Sequence, residues 1–184
     1  EEEMEKIFKN TWVWVAHESE FPDKGSFKLS QVGLEPVIVV RDRKGKIHCM
    51  VNRCRHRAAT VCEVKKGKTS SFQCPYHGWS FNGQGECTAI PCHLGDLPNY
   101  RVKALSVRER NGFIFLSSGS PSGEPYTHCM EGEDVIARLV KSDTQSTMID
   151  AAENILDATH THYTHKGLLR GLSDKRYKVK VQVT

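Results

Sequence analysis

The sequence has no apolar run approaching the ~18–20 residues that a membrane span needs. Its strongest run, Val37-Ile38-Val39-Val40, has the length of a core strand, so no membrane partner is expected. The start, Glu1-Glu2-Glu3, is neither an initiator Met nor the basic, apolar opening of a secretory signal. Charge of one sign is also missing. The 26 Lys and Arg stand against 22 Asp and Glu, and a net +4 is too mild to dictate a partner. There is no internal repeat and no nucleic-acid recognition motif, so nucleic acid is not an expected partner. Seven cysteines are an odd number, which argues against a disulfide framework and for a reducing, cytoplasmic setting.

The apolar share of 38% across 184 residues suffices for one packed domain or two small ones. Residues 4–10 are a short helix candidate. Strand candidates follow at close spacing over 12–16, 26–32, 36–41, 46–52, 70–74, 78–82, 86–90, 100–109 and 112–117. Turn chemistry separates them: Pro22-Asp23-Lys24-Gly25, Arg43-Lys44-Gly45, Asn82-Gly83-Gln84-Gly85 and Asn111-Gly112. Many short strands with regular turns predict a mainly β domain. The run from Ser117 to Pro125, all Ser, Gly and Pro except Glu124, reads as a flexible linker. After it come a helix candidate at 132–141, a strand at 146–151 and a second helix at about 152–165. The alternation from Tyr177 to Thr184 predicts a final strand that needs a partner, as the front part of a larger protein would.

Nine histidines accompany the cysteines, and two short Cys/His pairs stand out. Cys54-Arg55-His56 lies on one loop, and Cys74-Pro75-Tyr76-His77 follows after 17 intervening residues. Two Cys and two His can bind Zn²⁺ tetrahedrally, although Cys-x-His is not the Cys-x2–4-Cys knuckle of structural zinc sites. They can also divide between the two irons of a [2Fe-2S] cluster, thiolates on one and imidazoles on the other. Gly78 follows at once, where a backbone N–H free of a side chain could approach a cluster sulfur.

The wider string, Cys54-Arg55-His56-Arg57-Ala58-Ala59 and Cys74-Pro75-Tyr76-His77-Gly78-Trp79-Ser80-Phe81, resembles the Rieske domain of ring-hydroxylating oxygenases over about residues 40–117. The resemblance implies a Rieske [2Fe-2S] cluster held by Cys54, His56, Cys74 and His77. Ala59 and Tyr76 stand where respiratory-chain Rieske proteins carry an extra cysteine pair, which places this centre with the oxygenase and ferredoxin types. The remaining cysteines, Cys49, Cys62, Cys87, Cys92 and Cys129, are expected to be small buried hydrophobes.

Past the linker, Asn154, Asp157, His160 and His165 resemble the Asn-x-x-Asp-x-x-His-x4-His motif of the oxygenase catalytic domain. That resemblance implies a mononuclear Fe(II) on His160 and His165, with Asn154 and Asp157 in the catalytic machinery. A downstream carboxylate would complete the facial triad and leave positions for O₂. On a helix at 100° per residue, Asp157 falls between the two histidines. His160 and His165 stand wide apart there, and helical spacing alone favours His162 over His160. A π-bulge between residues 160 and 165 would close the gap. Asp174 is the only acid after His165 and is too near in sequence to be the third ligand, so the iron site is expected to be incomplete in this chain.

The organisation this implies is an N-terminal helical segment at 1–10, a mainly β Rieske domain at 11–117 and a linker at 118–125. The start of an α+β, helix-grip catalytic domain follows at 126–184. The implied protein is a large or sole oxygenase subunit, homotrimeric or α3β3, in which the cluster of one chain faces the iron of the next. It would take electrons from NAD(P)H through a reductase, a ferredoxin or both, and hydroxylate an aromatic or related small organic substrate. A Rieske ferredoxin is the alternative, and residues 153–165 separate the two, because a carrier does not need them. Ten Lys and Arg between Arg41 and Lys68, against Asp42 and Glu63, suggest a docking face for an acidic donor.

Overall fold

The computed structural model describes residues 2–127 and 145–157. The chain divides into two units, Glu1–Leu139 and Val140–Thr184. The first is mainly β. After a short π-helical turn at Met4–Phe8 come β1 (Val13–His17), β2 (Ser26–Val32), β3 (Glu35–Arg41), β4 (Ile47–Val51), β5 (Lys66–Lys68), β6 (Ser71–Gln73), β7 (Ser80–Asn82), β8 (Cys87–Ala89), β9 (Ser106–Arg110) and β10 (Phe113–Ser117). They form three antiparallel sheets, ordered β1-β10-β9, β4-β3-β2-β5 and β6-β7-β8.

The run Val37-Ile38-Val39-Val40 is the hinge of the architecture. All four side chains are buried, because β3 lies in a sheet covered on both faces. Alternation sends them to different cores. Val37 and Val39 join Ala16, Phe21, Ile114 and Leu116 under the β1-β10-β9 sheet. Ile38 and Val40 join Phe27, Met50, Phe72 and Phe81, against the small β6-β7-β8 sheet. Cys54 and Cys74 are buried in this second core, so the middle sheet supports the cluster loops directly.

The strand expected over 100–109 is regular only from Ser106. Residues 101–105 instead staple the free edge of β4 to the β7–β8 turn. Val51 N–H donates to Lys103 O at 2.8 Å, Leu105 N–H to Cys49 O at 3.0 Å and Val102 N–H to Gly85 O at 2.9 Å. β5 has no apolar residue to announce it. It forms because Lys66–Lys68 pair with Ser26–Lys28, with Gly67 opposite Phe27. A Cβ on Gly67 would meet the Phe27 ring at 2.9 Å, so this pairing admits only glycine there.

The Ser/Gly/Pro run is no free tether over residues 118–127. Trp12 Nε1 donates to Gly123 O at 2.9 Å, Arg110 Nη1 to Pro125 O at 3.2 Å, and Arg108 pairs with Glu124 at 3.0 Å. Pro125 and Thr127 are buried, and the unit boundary falls after Leu139 rather than at this run.

In the second unit, the strand expected over 146–151 is absent. A helix, α1 (Met148–Leu156), occupies that stretch. Its start is a capping box: Asp150 N–H donates to Thr147 Oγ1 at 3.2 Å, and Thr147 N–H donates to Asp150 Oδ2 at 3.1 Å. α1 ends at Leu156, short of the expected 165, and Asp157 caps it in extended backbone (φ −72°, ψ 97°). Asp is a poor helix former, and an acid at a C-terminal end opposes the macrodipole. Asp157 itself thus caps α1 rather than lying on its face. The helix candidate at 132–141, the final strand, Cys129, Asp174, the π-bulge and His160, His162 and His165 lie outside the described residues.

Candidate metal centre

Two loops carry the expected cluster ligands, and they share one backbone plan. In the first, Cys54 N–H donates to Ala59 O at 2.7 Å and Ala58 N–H to Cys54 O at 2.9 Å. In the second, Cys74 N–H donates to Trp79 O at 2.8 Å and Gly78 N–H to Cys74 O at 2.9 Å. Each cysteine thus closes its loop in both directions on residues four and five positions later. The residue four positions on is left-handed in both loops, with φ +56° at Ala58 and +73° at Gly78. Gly78 therefore does not offer its N–H to a cluster, as its bare backbone suggested, because Cys74 O takes it. The glycine is needed for its φ and for space: a Cβ there would meet Pro91 Cγ at 2.8 Å.

These loops sort the ligands by environment. Cys54 and Cys74 are 5% and 2% exposed, whereas His56 and His77 are exposed. Their rings meet edge to face, 4.7 Å between centroids. The two thiols also touch. Burial raises the Cys54 thiol above its ordinary value and the neighbouring Cys74 adds to this, while N–H groups of His56 and Arg57 point at the Cys54 sulfur and oppose the rise. Such N–H donors favour a thiolate. No three His, Cys, Asp or Glu converge on a single-ion position among the described residues. Two buried thiols beside two outward imidazoles are instead the donor set of a binuclear cluster with one iron inside and one outside. The four residues fit that group.

Two supports were not assigned a role from the sequence. Asn52 is buried at 3% exposure, and Val61 N–H and Cys62 N–H donate to its Oδ1 at 3.1 and 2.8 Å. Its Nδ2 donates to Cys62 O at 2.7 Å, so one amide fastens the segment leaving the first loop. Trp79 lies nearly parallel to His56 (5.0 Å, 2°), and Tyr100 stacks on Trp79 at 5.4 Å.

The other candidates separate. Asn154 lies on α1 and Asp157 at its cap, in the second unit. Among the remaining cysteines, Cys49 is buried as expected and Cys62 and Cys87 are half-buried. Cys92 departs from the expectation: it is exposed, on a left-handed turn with φ +60° outside any sheet. The ten basic residues also divide. Arg41 donates to Phe21 O and Gly45 O, Arg43 to Ser70 and Lys68 pairs with Asp23. Arg53, Arg55 and Arg57 line a cleft of about 380 Å³ beside the first cluster loop. Their guanidinium groups have no partner among the described residues.

The matching loops with unlike residues at the left-handed position make a paired prediction. A non-glycine residue there costs roughly 1–2 kcal/mol, partly offset by the entropy glycine loses on folding. Ala58→Gly should stabilise the protein by about 0.5 kcal/mol, and Gly78→Ala, which also meets Pro91, should destabilise it by about 2 kcal/mol or more. Denaturant midpoints moving in opposite directions are the expected result. A loss of stability in Ala58→Gly would mean that its left-handed turn is not strained.

Comparison with known proteins agrees with this geometry. Residues 11–101 match the Rieske [2Fe-2S] domain family. The chain is 41% identical over 133 residues to the N,N-dimethyl phenylurea N-demethylase subunit alpha of Sphingobium sp., covering 67% of this chain and 29% of that protein. It is 32% identical over 185 residues to a glycine betaine monooxygenase oxygenase subunit of Pseudomonas aeruginosa, covering 92% of this chain and 43% of that one. A solved structure of naphthalene 1,2-dioxygenase from Rhodococcus sp. superposes with a TM-score of 0.60 at 32% identity, over 65% of this chain and 30% of the other. The chain thus spans less than half the length of each of these relatives. Its likeness is to the N-terminal portion of oxygenase alpha or large subunits. Through residues 11–101, this chain belongs to the Rieske [2Fe-2S] domain family.

Proposed function

We propose that the chain is the cluster-bearing front part of a Rieske non-haem iron oxygenase, the terminal component that hydroxylates an aromatic or related organic substrate. The observation that carries this reading is the sorting of two thiols inward and two imidazoles outward on matching loops. It is joined by the Asn154-Asp157-His160-His165 motif, which a Rieske ferredoxin would not need. Relatives bearing oxygenase names, both mono- and dioxygenases, support it.

A bound [2Fe-2S] cluster would supply one-electron storage, and a mononuclear Fe(II) would supply O₂ activation. Cys54 and Cys74 hold the inner side of the cluster, and the N–H groups of His56 and Arg57 stabilise negative charge on the Cys54 sulfur. His56 and His77, both exposed, would hold the outer side. His160 and His165 would hold the Fe(II), with one carboxylate from elsewhere in the whole protein as the third ligand. Asn154 and Asp157 belong to the same site, and Asp157 accepts a hydrogen bond from the outer N–H of a metal-bound imidazole, fixing its plane. In a trimeric or α3β3 assembly that imidazole can belong to a neighbouring chain.

Electrons arrive from NAD(P)H through a reductase or ferredoxin. Arg53, Arg55 and Arg57, without a partner among the described residues and beside the first loop, are the proposed landing site for an acidic donor. Reduction by the natural donor should then slow as ionic strength rises, and further in Arg55→Glu. A salt-independent rate would remove that docking site.

The experiment that tests the oxygenase reading is metal analysis of the full-length protein. The oxygenase requires one iron beyond the two that accompany two acid-labile sulfides, while a ferredoxin holds equal iron and sulfide. His160→Ala should remove only the extra iron. Equal iron and sulfide in the intact protein would turn the assignment to an electron carrier.

A further inference from the structure

We infer that Trp79, steadied by Tyr100, is the positioning residue for the His56 imidazole, setting the ring plane in which it meets the cluster. The inference rests on the reading that Cys54, His56, Cys74 and His77 hold a [2Fe-2S] group. It adds what keeps the outer ligand in place.

His56 is exposed, and no described residue hydrogen-bonds its ring. Metal-bound histidines are ordinarily oriented by a partner on the outer nitrogen. Without such a partner close at hand, a histidine has a broad, two-fold preference about its last side-chain torsion. Among the described residues, ring contacts are what bear on His56, and they would act alongside any carboxylate that a neighbouring chain brings to its outer nitrogen. His77 touches His56 edge to face at 4.7 Å, but His77 is itself an exposed ligand, with the Tyr76 ring 4.0 Å away. The Trp79 indole is different, lying 2° from parallel with the His56 ring at 5.0 Å.

Trp79 is also the best-anchored group within reach. It is half-buried and packs on the second core, and its carbonyl accepts the Cys74 N–H at 2.8 Å. Tyr100 stacks on it at 5.4 Å and 25°, and Tyr100 is held in turn by the Cys87 N–H on its carbonyl at 2.9 Å. The stack therefore ties a ligand of the first loop to a fixed residue of the second. Its geometry runs from β8 through two aromatic rings to the outer face of the cluster site. A flat aromatic surface also keeps one side of the imidazole from water without competing for its nitrogens.

The test uses the full-length, cluster-loaded protein and reads cluster loss to an iron chelator alongside the pulsed-EPR nitrogen couplings of the reduced state. Trp79→Leu should lose its cluster about five-fold faster, the equivalent of one aromatic pair, and should show a broadened spread of imidazole couplings. Trp79→Phe keeps a ring and should stay within about two-fold of the parent. Tyr100→Leu, which leaves Trp79 and the core in place, should fall between, about two- to three-fold faster, with Tyr100→Phe unchanged. A Trp79→Leu protein with parental loss rate and parental couplings overturns the inference. Should that variant fail to fold, Tyr100→Leu decides alone: faster loss with broadened couplings supports the brace, and parental behaviour overturns it. A parent protein without Rieske-type EPR overturns the cluster reading, and the brace with it.

Discussion

Everything at the candidate metal centre depends on keeping two thiols dry and two imidazoles wet within a few residues of each other. Each loop meets this demand by the same means. A cysteine N–H reaches forward to a carbonyl, an N–H four residues on reaches back to the cysteine, and one left-handed residue lets the chain turn sharply enough for both. The two backbone bonds hold the sulfur at the core surface and force the residues between them outward. Histidine falls in that outward stretch in both loops, two residues after Cys54 and three after Cys74. The offset is permitted because the backbone, rather than the side-chain spacing, sets the site.

The loops stay in place because the second core is anchored from below. β3 is buried on both faces, so Ile38 and Val40 offer Phe72 and Phe81 a rigid floor. The segment through residues 101–105 closes β4's edge, and Asn52 closes the first loop's exit. The same economy of side-chain contacts shows in the run after β10. Written in Ser, Gly and Pro, it still lies against the sheet, because Trp12, Arg108 and Arg110 reach its carbonyls and its one carboxylate.

Much of this was legible in the sequence where one residue type answers to one physical demand. The β2 strand over 26–32 and the hairpin turns followed from alternation and turn chemistry, and donor type and spacing singled out the two Cys/His pairs that the loops bring together. What stayed hidden depends on partners distant in the chain. β5 is a strand only because β2 has an open edge, and Asn52 looks like an ordinary loop residue until Val61 and Cys62 arrive beside it. The start of α1 is a different case. Thr147 and Asp150 spell a capping box, but the apolar pair Met148-Ile149 invited a strand reading of the same residues.

The central claim is that the thiolates of Cys54 and Cys74 share one iron and the imidazoles of His56 and His77 the other. Mössbauer spectroscopy of oxidised protein enriched in the active iron isotope tests it most directly, because unlike ligand sets give unlike electronic surroundings. The account predicts two quadrupole doublets of equal weight for the cluster, merging toward one in a His56→Cys, His77→Cys double variant that still binds iron. A single doublet in the parent protein would mean that both irons carry the same ligands, and would contradict it.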